Sequence, residues 1–306
     1  MDPVFEWGIH VIRDLQEIFG SAGIDLGRFF TFLGNQEFYL LLFPFLLWCV
    51  DWVIGMRLTI IYLLSVALNT DIKDIIDQPR PYVVSPGVNL VEPDATYVYG
   101  EGFGMPSGHA QLSVTVWGML ALWMKKPWFW GLALFMVLAI GMARMLLGVH
   151  FPTQILAGWG VGVVAVALYA LFVLPVEKWL KQLTLGQQLV LAAAIPLILF
   201  FIHPVPDNLA AMATLFGVGI GLVFCYHYVP YGVSGSWQRR LARYVLGVIV
   251  LLAIYMGLSA VFPDEGESLY TLFRFIRYTL LGLWISLGAP WLFSRTHLAL
   301  PTIKPA

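Results

Sequence analysis

Charge is what this chain has least of. Asp, Glu, Lys and Arg make up 11% of its 306 residues, where an ordinary soluble domain carries about 25%. So little charge is incompatible with a fully hydrated surface. Hydrophobic residues reach 59% and the mean hydropathy is +0.81. Several apolar runs approach the roughly 20 residues that cross a hydrocarbon core of about 30 Å. The expectation is an all-α polytopic transmembrane helical bundle. A net charge of −1 leaves no basic excess, so no nucleic-acid partner is expected. Cysteine is nearly absent as well. Cys49 and Cys225 both lie inside apolar runs and read as packing residues, which leaves neither a disulfide framework nor a thiolate metal site. No internal repeat is present. The first residues, MDPVFEWGIHVIRDLQEIF, lack the basic region and small-residue cleavage site of a signal peptide. Their apolar residues recur at helical spacing, which predicts an interfacial amphipathic helix.

Beyond that helix, hydropathy places nine spans, at 36–52, 55–74, 107–124, 127–147, 152–175, 185–202, 207–229, 241–262 and 268–294. The breaks at KKPW (125–128) and HPVPDN (203–208) are sharp, because lysine and proline are rare at a bilayer centre. Ten of the seventeen lysines and arginines, among them Lys125, Lys126, Arg239, Arg240 and Arg243, fall on one side. The positive-inside rule makes that side cytoplasmic. The C-terminus is then cytoplasmic, and the opposite face carries acidic loops at 92–101 and 263–268. The loop 82–105 is long and rich in Gly, Pro and Tyr, as an ordered flap beside a site would be.

Three polar islands interrupt the oil on that opposite face: KDIIDQPRP (73–81), PSGH (106–109) and RMLLGVHFPTQ (144–154). Arg80 offers a planar fork to two phosphate oxygens, and Lys73 a compact point charge. Ser107 stands where a helix starts, so backbone N–H groups and the helix dipole would face an anion there. Gly108 lets that anion approach closely. His109 lies in the first turn, placed to protonate a leaving oxygen. Arg144 adds a further cation. His150 precedes Phe151-Pro152, so the chain turns and a helix begins with Pro152 at its first position. An imidazole at such a mouth can attack phosphorus. Gln154, at the third helical position, can reach back and accept a hydrogen bond from its Nδ1–H. Taken singly, each island also reads as interfacial snorkelling and helix capping.

In order, Lys-x6-Arg-Pro, Pro-Ser-Gly-His and Arg-x5-His resemble the three-part signature of the type 2 phosphatidate phosphatase superfamily. That group also includes vanadium haloperoxidases and glucose-6-phosphatase. The resemblance implies a phosphohistidine at His150 and leaving-group protonation by His109. It assigns Lys73, Arg80, Ser107, Gly108 and Arg144 to the phosphoryl oxygens, without a metal or other cofactor. Most similar members carry Asp four residues after the nucleophilic histidine, whereas this chain has Gln154. Gln can orient the imidazole but lacks the charge that stabilises an imidazolium. Glucose-6-phosphatase and dolichyl diphosphatase are similar in using Gln there. IDQPRPY and the nine-span layout also resemble the glucose-6-phosphatase branch.

The domain expectation is therefore an N-terminal interfacial helix and connector (1–35), a catalytic phosphatase core (36–180) and C-terminal transmembrane helices (181–306). The implied activity is hydrolysis of a phosphomonoester or pyrophosphate outside the cytoplasm, in a bacterial inner membrane. The leading substrate is a lipid phosphate of phosphatidate, phosphatidylglycerol phosphate or polyprenyl type. A sugar phosphate is the alternative, and a non-hydrolytic lipid or anion transporter fits the single motif set less well. Membrane lipids are the expected partners. Asp71, Asp74 and Asp77 at steps of three suggest either a metal cage or charge balance for Lys73 and Arg80, or a substitute for the missing Asp beside His150. The GxxxG pairs Gly158–Gly162 and Gly217–Gly221 read as close helix packing.

Overall fold

The structure is a computed structural model describing residues 2–88 and 103–299. Regular structure among those residues is helical throughout. The elements are α1 (Pro3–Phe32), α2 (Gln36–Phe45), α3 (Trp52–Ile76), the short α4 (Pro81–Val84), α5 (Gly108–Met124) and α6 (Pro127–Leu146). They continue with α7 (Pro152–Leu180), α8 (Leu185–Ile202), α9 (Pro206–Tyr228), α10 (Trp237–Val261), α11 (Tyr270–Leu283) and α12 (Ala289–Arg295). Most of the expected flap at 82–105, and the last residues from 300 on, lie outside the described residues.

Seven of these helical stretches are long and apolar enough to cross a membrane, or eight if α1 and Gln36–Val50, bent by 45°, form one span. The count differs from nine at two places. Helix α5 has 17 residues, about 25 Å at 1.5 Å per residue. The stretch expected at 36–52 is a ten-residue helix running into a five-residue π segment, Leu46–Val50. Both are shorter than the shortest of the seven, the 18-residue α8.

The chain forms two compact units, 1–39 with 68–171 and 40–67 with 172–306. In the first, Asp2 caps α1 by accepting from the Val4 N–H, and α1 breaks at Gly20 (φ 52°, ψ −141°), a conformation only glycine enters freely. Its small residues face α6 and the turn after it. A methyl group on Gly8 would press on the Phe151 ring, and one on Gly27 on Leu147. Phe5 stacks on Phe151 at 5.0 Å, and Ile9, Ile12 and Val88 close that apolar cluster. Gln16 ties the layers by donating to the carbonyls of Val88 (2.7 Å) and Leu146 (3.0 Å). Helices α5 and α7 meet almost backbone to backbone: a methyl on Gly158 would lie 2.5 Å from the Ser107 carbonyl, and one on Gly162 2.6 Å from that of Gln111. The first GxxxG pair is thus a packing seam.

The second unit packs around Trp48 and Phe293, both fully buried. The π segment aims the Trp48 indole N–H at the Ile285 carbonyl, 3.0 Å away. Cys49 and Cys225 are buried free thiols in the same cluster. Arg243 is buried and donates to the carbonyls of Gly232, Val233 and Ser234, so it braces a loop. Gly217 and Gly221 abut the Thr279 carbonyl and the Ser286 side chain.

Candidate functional site

Local chain geometry builds one end of the site. After α6 the backbone enters the left-handed region at Gly148 (φ 71°). The N–H groups of Val149 (3.1 Å) and His150 (3.3 Å) both donate to the Arg144 carbonyl. The turn thus folds back onto Arg144, and α7 starts at Pro152, whose missing N–H costs nothing there.

His150 is 1% exposed, with partners at both ring nitrogens. The Arg80 Nη1 lies 3.1 Å from Nε2. Guanidinium can only donate, so Nε2 is the bare lone pair and Nδ1 carries the hydrogen. That N–H meets the Gln154 Oε1 at 3.0 Å. The Gln154 amide is itself held from both ends. Its Oε1 accepts from the Phe151 N–H (3.2 Å), while its Nε2 donates to the Pro79 carbonyl (2.8 Å) and the Gln78 Oε1 (2.9 Å). Two of these partners are backbone groups of fixed polarity, so the amide orientation follows from chemistry. Burial first, then the charges of Arg80, Arg144 and Lys73, hold the His150 imidazole well below the usual histidine pKa. The Gln154 hydrogen bond opposes that shift. A neutral imidazole with a directed Nε2 lone pair is the form able to attack phosphorus.

The PSGH stretch forms the other end. Ser107 occupies the N-cap of α5. Its side chain departs from expectation, because it makes no capping bond and, among the described residues, the buried Oγ has no hydrogen-bond partner. The Ser107 N–H donates instead to the Gln154 carbonyl at 3.0 Å, linking the two ends through backbone. A methyl on Gly108 would sit 3.0 Å from the Asn69 Oδ1 and 3.8 Å from the Lys73 Nζ, so Gly108 admits both to the helix mouth. Asn69 donates to the Pro106 carbonyl (3.3 Å) and the Gln111 Oε1 (2.8 Å). Arg144, fully buried, donates to the Thr31 hydroxyl at 3.2 Å. The His109 Nε2 lies 2.8 Å from the Asn35 Oδ1.

All eight residues singled out in the sequence lie in the first unit. Five polar neighbours were not: Thr31, Asn35, Asn69, Gln78 and Gln111. Asn69 precedes Lys73 by four residues and Gln111 follows Ser107 by four, so helical spacing carried a signal for both. Nothing in the spacing pointed to Thr31 or Asn35. Among the described residues no three His, Cys, Asp or Glu side chains gather as a metal ion would require. Asp77 ends α3 in the left-handed conformation (φ 50°), its N–H on the Lys73 carbonyl. The ring nitrogens of His150 meet Arg80 and Gln154, and neither partner is a carboxylate.

The PAP2 superfamily model matches residues 54–178, and the PAP2 superfamily phosphatase transmembrane extension matches residues 209–301. Sphingosine-1-phosphate phosphatase 1 of Rattus norvegicus is 33% identical over 137 residues, which are 43% of this chain and 30% of that protein. Undecaprenyl-diphosphatase of Sulfolobus acidocaldarius is 31% identical over 110 residues, 36% of this chain and 50% of that protein. Sphingosine-1-phosphate phosphatase 2 of Homo sapiens is 28% identical over 209 residues, 64% of this chain and 50% of that protein. The aligned part of the chain thus spans half or less of each of these relatives. No solved structure gives a significant match.

Proposed function

Since the chain belongs to the PAP2 superfamily, with its transmembrane extension, we propose that it is an integral membrane phosphatase acting on a lipid phosphate or diphosphate through a phosphohistidine. The observation that carries this is the pair of bonds at His150, with Nδ1–H on Gln154 and Nε2 presented to Arg80.

In the proposed reaction the phosphoryl group displaces Arg80 from Nε2 and takes its donors, with Lys73, Arg144 and the N–H groups at the start of α5, onto the equatorial oxygens. Nε2 then attacks phosphorus as the P–O bond to the leaving group breaks, and His109 delivers a proton to the departing oxygen. Water attacks the phosphohistidine in turn, His109 takes its proton, and inorganic phosphate leaves. Preorganised cations supply most of the stabilisation, as expected for phosphoryl transfer. Gln154 sets the tautomer without adding a negative charge.

A lipid substrate is favoured over a sugar phosphate because the relatives are named for sphingosine-1-phosphate and undecaprenyl diphosphate. The loop charges favour a site on the non-cytoplasmic face and a cytoplasmic C-terminus. Phosphate release by purified protein against lipid phosphates, polyprenyl diphosphates and hexose phosphates, with and without EDTA, tests the reading. Lipid turnover that survives EDTA and vanishes in His150→Ala is expected. Near-normal turnover in His150→Ala would remove His150 as nucleophile, and full inhibition by EDTA would overturn the metal-free route.

A further inference from the structure

The PAP2 match begins at residue 54, yet the segment before it touches the site twice. Helix α1 ends in a turn fixed by two backbone bonds, from the Gly34 N–H to the Thr31 carbonyl (2.9 Å) and from the Asn35 N–H to the Phe32 carbonyl (3.1 Å). Thr31, 1% exposed, accepts from Arg144. Four residues on, the Asn35 Oδ1 lies 2.8 Å from the His109 Nε2. Gly34 makes this approach possible, since a methyl there would stand 2.9 Å from the His109 Cδ2. The Cδ2–Nε2 edge of the imidazole therefore faces the N-terminal turn, and the Nδ1 edge is the opposite one.

We infer that Asn35 is the positioning residue of His109, an element of the site supplied from outside the family-matched core. This rests on the phosphatase reading above. The amide oxygen accepts Nε2–H in both protonation states, which fixes the ring plane and reserves Nδ1 for proton transfer. Burial first, then the charges of Arg144, Lys73 and Arg80, hold His109 below the usual histidine pKa, and the phosphoryl dianion of bound substrate offsets those cations so that the ring takes up a proton. In the first step the imidazolium Nδ1–H passes to the leaving oxygen as the P–O bond breaks, leaving neutral His109 with its hydrogen on Nε2. In the second step Nδ1 takes the proton of the attacking water. Asn35 touches neither phosphorus nor the leaving oxygen. Its loss is felt in proportion to how much the leaving group needs protonation.

That dependence separates positioning from general scaffolding. Turnover of an alkyl phosphate lipid, whose alkoxide must be protonated, is compared with that of p-nitrophenyl phosphate, whose phenolate leaves unaided. General acid catalysis is worth about 10²–10⁴-fold. Asn35→Ala should accordingly lower kcat on the alkyl substrate by about 10- to 100-fold and on the aryl substrate by less than about 3-fold. Asn35→Asp keeps the shape and places a carboxylate on Nε2–H. It should restore most of the alkyl activity and move the basic limb of its pH profile upward, because the imidazolium is stabilised. Equal loss on both substrates, or an unmoved basic limb in Asn35→Asp, would overturn the inference. Inactivity of the wild-type protein on every substrate would instead overturn the phosphatase reading itself.

Discussion

Gly104 offers the sharpest test of how His150, the proposed nucleophile, is held. It is buried, and its N–H donates to the Gln78 carbonyl at 2.7 Å, so its backbone is pinned beside the Gln154 amide. A methyl group there would meet the Gln154 Cδ at 2.7 Å, against the 3.4 Å at which ordinary contact begins. The amide must then retreat by roughly 0.7 Å or more. Gln154 is fully buried and bonded at both ends, so it cannot move without releasing either the Pro79 carbonyl or His150. A displacement near 1 Å at a catalytic group costs about 10²-fold in rate, or about 2.7 kcal/mol of activation free energy. Gly104→Ala should therefore lower kcat on a lipid phosphate about 100-fold while KM changes less than about 3-fold, since the phosphate ligands are untouched. If the effect passes through Gln154, adding Gly104→Ala to Gln154→Ala should cost less than about 2-fold more. Steady-state kinetics of the four detergent-solubilised proteins measures both. Wild-type kcat in Gly104→Ala would refute the contact and the role derived from it.

The lowered pKa of His150 keeps the imidazole neutral to more acid pH than a free histidine. The acid limb of kcat/KM should thus fall below about 6.5, and a limb above pH 7 would contradict the assignment. Gly158→Val drives a side chain against the Ser107 carbonyl and should cost about 1–3 kcal/mol, with activity falling alongside Tm. Gly160→Ala on the same helix meets open space and should be neutral or stabilising, by up to about 1 kcal/mol. Arg57 and Glu177 form a bidentate pair (2.7 and 2.6 Å) at about one-quarter to one-third exposure. Breaking it with Arg57→Met should lower stability by less than about 1 kcal/mol and leave kcat unchanged.

Much of the site was legible because its residues are chemically conspicuous in an oily chain. A lysine, two arginines and two histidines need a reason to sit there, and Pro, Ser and Gly mark where helices must start and stop. The third-position geometry of Gln154 was readable for the same reason, since it depends on a single turn of helix. Hydropathy located the helices well, α5 to within one residue, but a running average does not register the π segment at Leu46–Val50.

By itself, then, the sequence determined the helical membrane class, the three polar motifs and, apart from the Ser107 side chain, the helix starts and turns within them. Those follow from short-range sterics, helix periodicity and the cost of charge in hydrocarbon. Tertiary structure alone decided which neutral groups serve those motifs. Gln78 and Pro79 hold Gln154, Asn69 reaches Gly108, and the turn at Thr31–Asn35 reaches Arg144 and His109. Amides and hydroxyls are common and carry no net charge, so the helical spacing of Asn69 and Gln111 is only a weak signal, and nothing in the spacing of Thr31 and Asn35 distinguishes a site partner from a bystander. Only the close approach of helices, permitted where glycine removes a side chain, brings the right ones within hydrogen-bond reach.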